Sequence, residues 1–192
     1  MKLLTTDVNK KRANTSGFTL IEFVVVLTII GILTTASTFM MTNIIAKSSL
    51  ESAASAIYSD LRFAQSEAVK LNKPVYVSFV TENNQWCYGM STENSCDCFE
   101  ADDCTLNGDE KIRTNDFFKE VDLDKAAFAG RKNYTVFDHR TGFSPGKNGS
   151  IWLSKNDLQM AVIVNRLGRI RFCSPTIEEY SQQCPKNPRD NI

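Results

Sequence analysis

The sequence predicts an α+β protein: a long N-terminal α-helix, transmembrane in its first half, packed by its second half on an antiparallel β-sheet head. Three observations predict it. From Phe18 to Met41 run 24 residues whose single charge is Glu22, about the length at which an α-helix crosses ~30 Å of hydrocarbon. From Leu50 to Leu71 apolar residues return at three- and four-residue steps. Beyond Pro74 the chain changes to short β-branched and aromatic runs separated by turn residues.

The apolar run comes first. A fully buried core helix is its other explanation, but a head cut from 192 residues is too small to enclose such a helix on every side. The zero net charge conceals an asymmetry that orients the span. Residues 1–17 hold Lys2, Lys10, Lys11 and Arg12 against Asp7, which leaves 18 basic and 21 acidic side chains in the rest. Basic residues just before an apolar span keep that end in the cytoplasm. The expected topology is therefore a single pass through the inner membrane with the head in the periplasm. The expected organisation is a leader over 1–17, a membrane half of the helix over 18–41, an amphipathic half over 42–72, and a head over 73–192.

In the second half of the helix, Leu50, Ala53, Ala54, Ile57, Leu61, Ala64, Ala68 and Leu71 share a face, with Glu51, Ser52, Asp60, Arg62 and Lys70 largely elsewhere. The alanines suit close approach to a sheet. Asn72-Lys73-Pro74 ends the helix, because a residue before proline disfavours the α region. Strands are expected at Val75–Val80 and Gln85–Tyr88 about an Asn83-Asn84 turn, then at Tyr134–Phe137, Ser150–Leu153, Gln159–Asn165 and Arg169–Phe172. Residues 91–111 read as a polar, acidic loop, and the tail from Ser174 as irregular.

All six cysteines, Cys87, Cys96, Cys98, Cys104, Cys173 and Cys184, fall in the exported part. An even count in an oxidising compartment reads as disulfides. Six cysteines allow 15 pairings; loop closure favours Cys173 with Cys184, and Cys87 with a partner in the 96–104 cluster. Zinc at Cys96-Asp97-Cys98 plus Cys104 is the competing reading, weakened by the lack of paired CxxC spacing and of a nearby His.

Catalysis finds little footing. His139 is the only histidine, and no Ser or Cys has a triad context. Gly142-x-x-x-Gly146-Lys147 is one residue short of a phosphate loop and lacks the Ser or Thr after Lys. No cofactor, metal or small-molecule substrate is implied.

The leader is unlike a secretory signal, whose apolar core precedes its cleavage site. Here the basic stretch and Ser16-Gly17 come first, so cleavage after Gly17 would leave the apolar helix as the mature N-terminus. The run Ser16-Gly17-Phe18-Thr19-Leu20-Ile21-Glu22-Phe23 resembles the processing site of type IV pilins and of type II secretion pseudopilins. The resemblance implies that a prepilin peptidase cuts between Gly17 and Phe18 and methylates the new N-terminal Phe18. It also implies that Glu22, at mature position five, serves assembly with other pilins or pseudopilins through the helix. The physics agrees: a charge within a bilayer costs about 3 kcal/mol and needs a partner, and the span holds no Lys, Arg or His. The amine freed at a neighbour's Phe18 would supply one. Gly31 matches a glycine common in the family's helix. Where many major pilins carry proline this chain has Phe39, a departure that suits a minor or initiating subunit.

Tyr134-Thr-Val-Phe137, Gly142, Gly149-Ser-Ile-Trp-Leu153, Ala161-Val-Ile-Val164 and Gly168-Arg169-Ile-Arg171, with Leu61-Arg62-Phe63-Ala64-Gln65-Ser66-Glu67-Ala68, are similar to the GspH/FimT branch of that superfamily. The branch includes secretion pseudopilins and minor pilins placed at or near filament tips, and the likeness covers most of the chain except 91–130 and the tail. Some members bind DNA through a C-terminal Gly-Arg-x-Arg stretch. Arg166, Arg169 and Arg171 are the candidates for that role here, with Lys186 and Arg189 further on, although Glu178, Glu179 and Asp190 lie nearby. Mass spectrometry of the mature protein is expected to find N-methylated Phe18 as the first residue. Any other N-terminus refutes the processing assignment.

Overall fold

The computed structural model describes residues 17–118, 120–181 and Cys184, without the side chains of residues 35–41. Most of the leader, and Lys186 and Arg189, lie outside them. The chain divides into two units, Met1–Thr42 and Asn43–Ile192.

The first unit holds the start of α1, the helix Leu20–Leu71. Its large apolar side chains between Phe18 and Leu33 are 43–83% exposed. They face outward all round the helix, unlike the one-sided apolar stripe of an amphipathic helix. Among the described residues no helix is long and apolar enough to cross a membrane. The described side chains of this run stop at Thr34, and at ~1.5 Å per residue Phe18–Thr34 reaches only about 25 Å. The residues from 35 to 41 that complete the expected span fall outside the described side chains.

The head is built on the second half of α1. Leu50, Ala53, Ala54, Ile57, Leu61, Ala64 and Ala68 are fully buried, and Leu71 is half-buried at the end of the row. Asn72 adopts a left-handed φ of 51°. Its N–H donates to Val69 O and the Lys73 N–H to Ala68 O, both at 3.3 Å, a Schellman cap before Pro74.

Ten strands follow. β1 (Val75–Glu82), β2 (Gln85–Ser91), β5 (Ile112–Thr114) and β7 (Tyr134–Phe137) form one antiparallel sheet in the order β5-β2-β1-β7. β6 (Asp122–Phe128), β8 (Gly149–Lys155), β9 (Leu158–Val164) and β10 (Ile170–Cys173) form a second, β10-β9-β8-β6. β3 (Thr105–Leu106) and β4 (Asp109–Glu110) make a small hairpin of their own. The expected α+β class holds, with the head split into two sheets. A single apolar core joins them to α1, including Phe79, Tyr88 and Phe137 from the first sheet and Ile151, Met160 and Val162 from the second. Phe79 stacks with Tyr88 and Phe128 at 5.3 and 6.1 Å, and Tyr58 of α1 meets Phe172 of β10 at 5.0 Å.

The later strands lie within a residue or two of their expected positions. β3 to β6 were not expected. Asn107 and Gly108, both at positive φ, form a two-residue turn of the kind Asn-Gly favours, a signal present in the supposed loop. β6 reads Asp-Leu-Asp-Lys-Ala-Ala-Phe, poor strand material by propensity. Its pairing with β8, shifted at Asp124 by a bulge, makes it a strand. Residues between β5 and β6 pack as well: Trp86 stacks on Phe118 at 5.3 Å and donates its indole N–H to Val121 O at 2.8 Å.

Ile57 lies at the centre of the α1 row at 0% exposure. Ile57→Ala is expected to lower the head's unfolding free energy by about 2–5 kcal/mol, read from urea denaturation. A loss under 1 kcal/mol would mean the row is not the core's centre.

Candidate assembly segment and arginine-bearing loops

Gly17 and Phe18 lie outside regular secondary structure before α1, with Phe18 80% exposed. Thr19 is the residue before the helix. Its Oγ1 accepts from the Glu22 N–H at 3.4 Å and its carbonyl from the Phe23 N–H at 3.2 Å. Thr19-x-x-Glu22 therefore has the spacing of a capping box, and a carboxylate in the first turn favours the helix dipole. That local role was legible in the sequence but not drawn from it. The exposed Glu22 carboxylate has no cationic partner among the described residues. Further along, Thr28 Oγ1 donates to Val25 O, and Thr34 Oγ1 to the carbonyls of Ile30 and Gly31, at 2.8–3.0 Å. The Thr28 and Thr34 hydroxyls are thus satisfied within the helix.

At the far end of α1, Gln65 ties two loops together. Its Nε2 donates to Gly142 O at 2.6 Å and to Gly168 O at 3.2 Å, while Arg62 Nη1 donates to its Oε1 at 2.7 Å. Gly168 has φ +73°, and a Cβ there would lie 2.3 Å from Gly142 O and 2.5 Å from Gln65 Nε2. Only glycine fits both the backbone angle and the space. The Ser144 N–H donates to Arg166 O at 3.1 Å and so closes the two loops on each other. Asp138 turns the first loop by accepting from the N–H groups of Arg140 and Thr141. These bonds, led by that from Arg140, hold its carboxyl below the ordinary range.

This node decides what becomes of the three candidate arginines. Arg166 and Arg169 flank Leu167 and Gly168 in the β9–β10 turn and are exposed. Asn165 Oδ1 fixes the turn, accepting from the N–H groups of Leu167 and Arg169. Arg171 is separated from them: it is half-buried within β10, opposite Ile163. The structure adds two arginines that sequence reasoning did not group with them, Arg62 on α1 and Arg140 on the adjoining loop. Their separation along the chain hid them; Gln65 brings their elements together.

The six cysteines pair as Cys87–Cys98, Cys96–Cys104 and Cys173–Cys184. The first two staple the acidic segment against β2. The Cys96–Cys104 bridge lies where a Cβ on Gly89 would meet Cys104 Sγ at 2.3 Å, so glycine in β2 makes room for it. Beside this segment a cleft of about 400 Å3 opens between α1 and β5. Tyr88 Oη donates to Asp60 Oδ2 at 2.8 Å, and Arg113 Nε donates to the same oxygen. Burial, then the adjacent Asp60 carboxylate, raise the Tyr88 phenol above its ordinary value, and the Arg113 guanidinium is raised by the same carboxylate. The three groups satisfy one another as a tie from helix to sheet.

An apolar helix with one first-turn carboxylate, continuing into an α+β head, defines the pilin class of fold. The chain belongs to the family described as Type II transport protein GspH, whose model matches residues 53–168, within the GspH/FimT branch of the pilins. The model for the prokaryotic N-terminal methylation motif matches residues 12–38. No curated protein matches the chain. Among solved structures it is similar to the type IV minor pilin FimU of Pseudomonas aeruginosa, with a TM-score of 0.46 and 16% identity over 68% of this chain and 95% of that one. Proteins of this class are structural subunits that assemble with other pilins, and the methylation motif is the substrate feature of prepilin peptidase processing.

Gly168→Ala is expected to cost about 2–4 kcal/mol, from the positive φ and the clash with Gly142 O, and to loosen the β9–β10 turn. Thermal melts and proteolysis at Arg166 and Arg169 would show both, whereas wild-type stability would disprove the node.

Proposed function

We propose that this chain is a minor type IV pilin, a tip- or initiation-region subunit that enters the pilus through its N-terminal helix. Cleavage after Gly17 frees the Phe18 amine, residues 18–41 anchor the subunit in the inner membrane, and the head stands in the periplasm. Glu22 then pairs with the Phe18 amine of a neighbouring subunit. The observation that carries the proposal is the match of the methylation motif over 12–38 to a helix start where Glu22 has no cation within its own described chain. In a low-dielectric helix bundle that pairing is strong and directional, so it sets the axial stagger between subunits. The Thr19 cap complements it by holding the first turn helical up to the residue that must present its amine.

A second reading, a pseudopilin of type II secretion, is favoured by the description of the matching family model. The two share processing and helix chemistry and differ in the machine they serve. Deletion of the gene is expected to reduce surface pili and leave secretion of periplasmic enzymes intact; the reverse pattern assigns the protein to secretion instead. In either machine Glu22→Ala is expected to be processed normally at Gly17 yet be absent from sheared filaments. Filament incorporation of Glu22→Ala at the wild-type level would remove the assembly role of Glu22.

A further inference from the structure

The head separates its charges. Residues 91–110 contain seven carboxylates and no Lys or Arg. Two disulfides and the Cys96 N–H bond to Ser78 Oγ hold this segment in place. It presents Glu100, Asp102 and Asp103 at the surface beside Phe99, which is 38% exposed. The loops joined at Gln65 present the opposite character. Leu167 is 65% and Phe143 41% exposed, among Arg62, Arg140, Arg166 and Arg169. None of these four arginines has a carboxylate partner among the described residues.

The topology sets these patches side by side. Tyr76 of β1 pairs with Ser91, where the acidic segment leaves β2, and Val75 pairs with Phe137, where the first arginine-bearing loop leaves β7. Both segments therefore leave the same end of one sheet, on opposite flanks of β1, about 10 Å apart at two strand spacings.

We propose that the arginine-bearing loops of one copy dock laterally on the stapled acidic segment of a second copy. Apolar Leu167 and Phe143 would form the centre against Phe99, with the arginines as a charged rim, the arrangement of a small protein interface. In this contact the basic patch of one head meets the acidic patch of the other, two different surfaces of the same chain. A nucleic acid fits less well. A strand lying on the arginines would run beside an acidic segment that leaves the sheet about 10 Å away, roughly a Debye length. The proposal rests on the filament-subunit reading, because helices aligned in a membrane supply the effective concentration that so small a contact needs.

Charge exchange tests it. The full-length chain is reconstituted in neutral-lipid vesicles, and association between two dye-labelled preparations is read by energy transfer. Arg166→Glu/Arg169→Glu and Asp102→Lys/Asp103→Lys are each expected to weaken self-association about tenfold. A mixture of the two variants should recover it, and added salt should weaken the wild-type signal. Arg166→Ala/Arg169→Ala, with no reversed charge, should fall between. The proposal is overturned if either charge-reversed variant associates like wild type, or if the mixture does not recover while both variants keep their near-ultraviolet circular dichroism. It is also overturned if a single-stranded oligonucleotide occupies the arginine loops and displaces the second copy. Failure of cleavage at Gly17 or of the Glu22→Ala incorporation test would count against the filament reading and leave this measurement untouched.

Discussion

Everything in the head depends on one apolar stripe of α1 lying under two sheets. Leu50, Ile57 and Leu61 supply the volume, while Ala53, Ala54, Ala64 and Ala68 let the backbone approach the strands closely. Both sheets, each of four short strands, share their largest apolar core with that stripe. The helix is therefore a structural element shared by two tasks. Its first part carries large apolar side chains that are exposed from Phe18 to Leu33. Its second part is amphipathic and fully committed to the head.

Polar ties repeat along the committed half and lock its register. Lys47 bonds Glu179 at 2.8 Å near one end, Lys155 reaches Ser49 at 3.2 Å, and Asp60 holds Tyr88 and Arg113. Gln65 closes the other end by holding the carbonyls of Gly142 and Gly168. The exposed pairs contribute little stability individually. The Gln65 bonds matter more, because they are part-buried and leave two loop carbonyls unsatisfied if broken. Through them the rotation of α1 decides which loops share a surface.

The head thereby combines a rigid frame with surfaces that differ on each flank. Disulfides serve the same end in the segment least able to bury a core, where only Leu106 of the β3–β4 hairpin is fully enclosed. Closing a loop of that size constrains the unfolded chain by about 2–3 kcal/mol. That constraint substitutes for apolar packing and holds a run of carboxylates of which Asp109 alone has an ion-pair partner, Lys111, among the described residues. A subunit that must meet different neighbours on its two sides benefits from such fixed asymmetry.

What the sequence determined by itself is everything written in local or periodic terms. The apolar run with one carboxylate, the α1 face, the Asn72–Pro74 stop and strands such as Tyr134–Phe137 follow from spacing and turn chemistry, which neighbours a few residues away enforce. The capping box at Thr19 and the Asn107-Gly108 turn were equally local and could have been read. Tertiary structure alone decided the rest. β6 is a strand because β8 offers it a ladder, not because Asp-Leu-Asp-Lys prefers one. The arginines at 62, 140, 166 and 169 became neighbours only when Gln65 joined their elements, while Arg171, close in sequence, was set apart within β10. Side-chain propensity acts over a few residues, whereas hydrogen bonds across 77 and 103 residues, as at Gln65, depend on how the whole core closes.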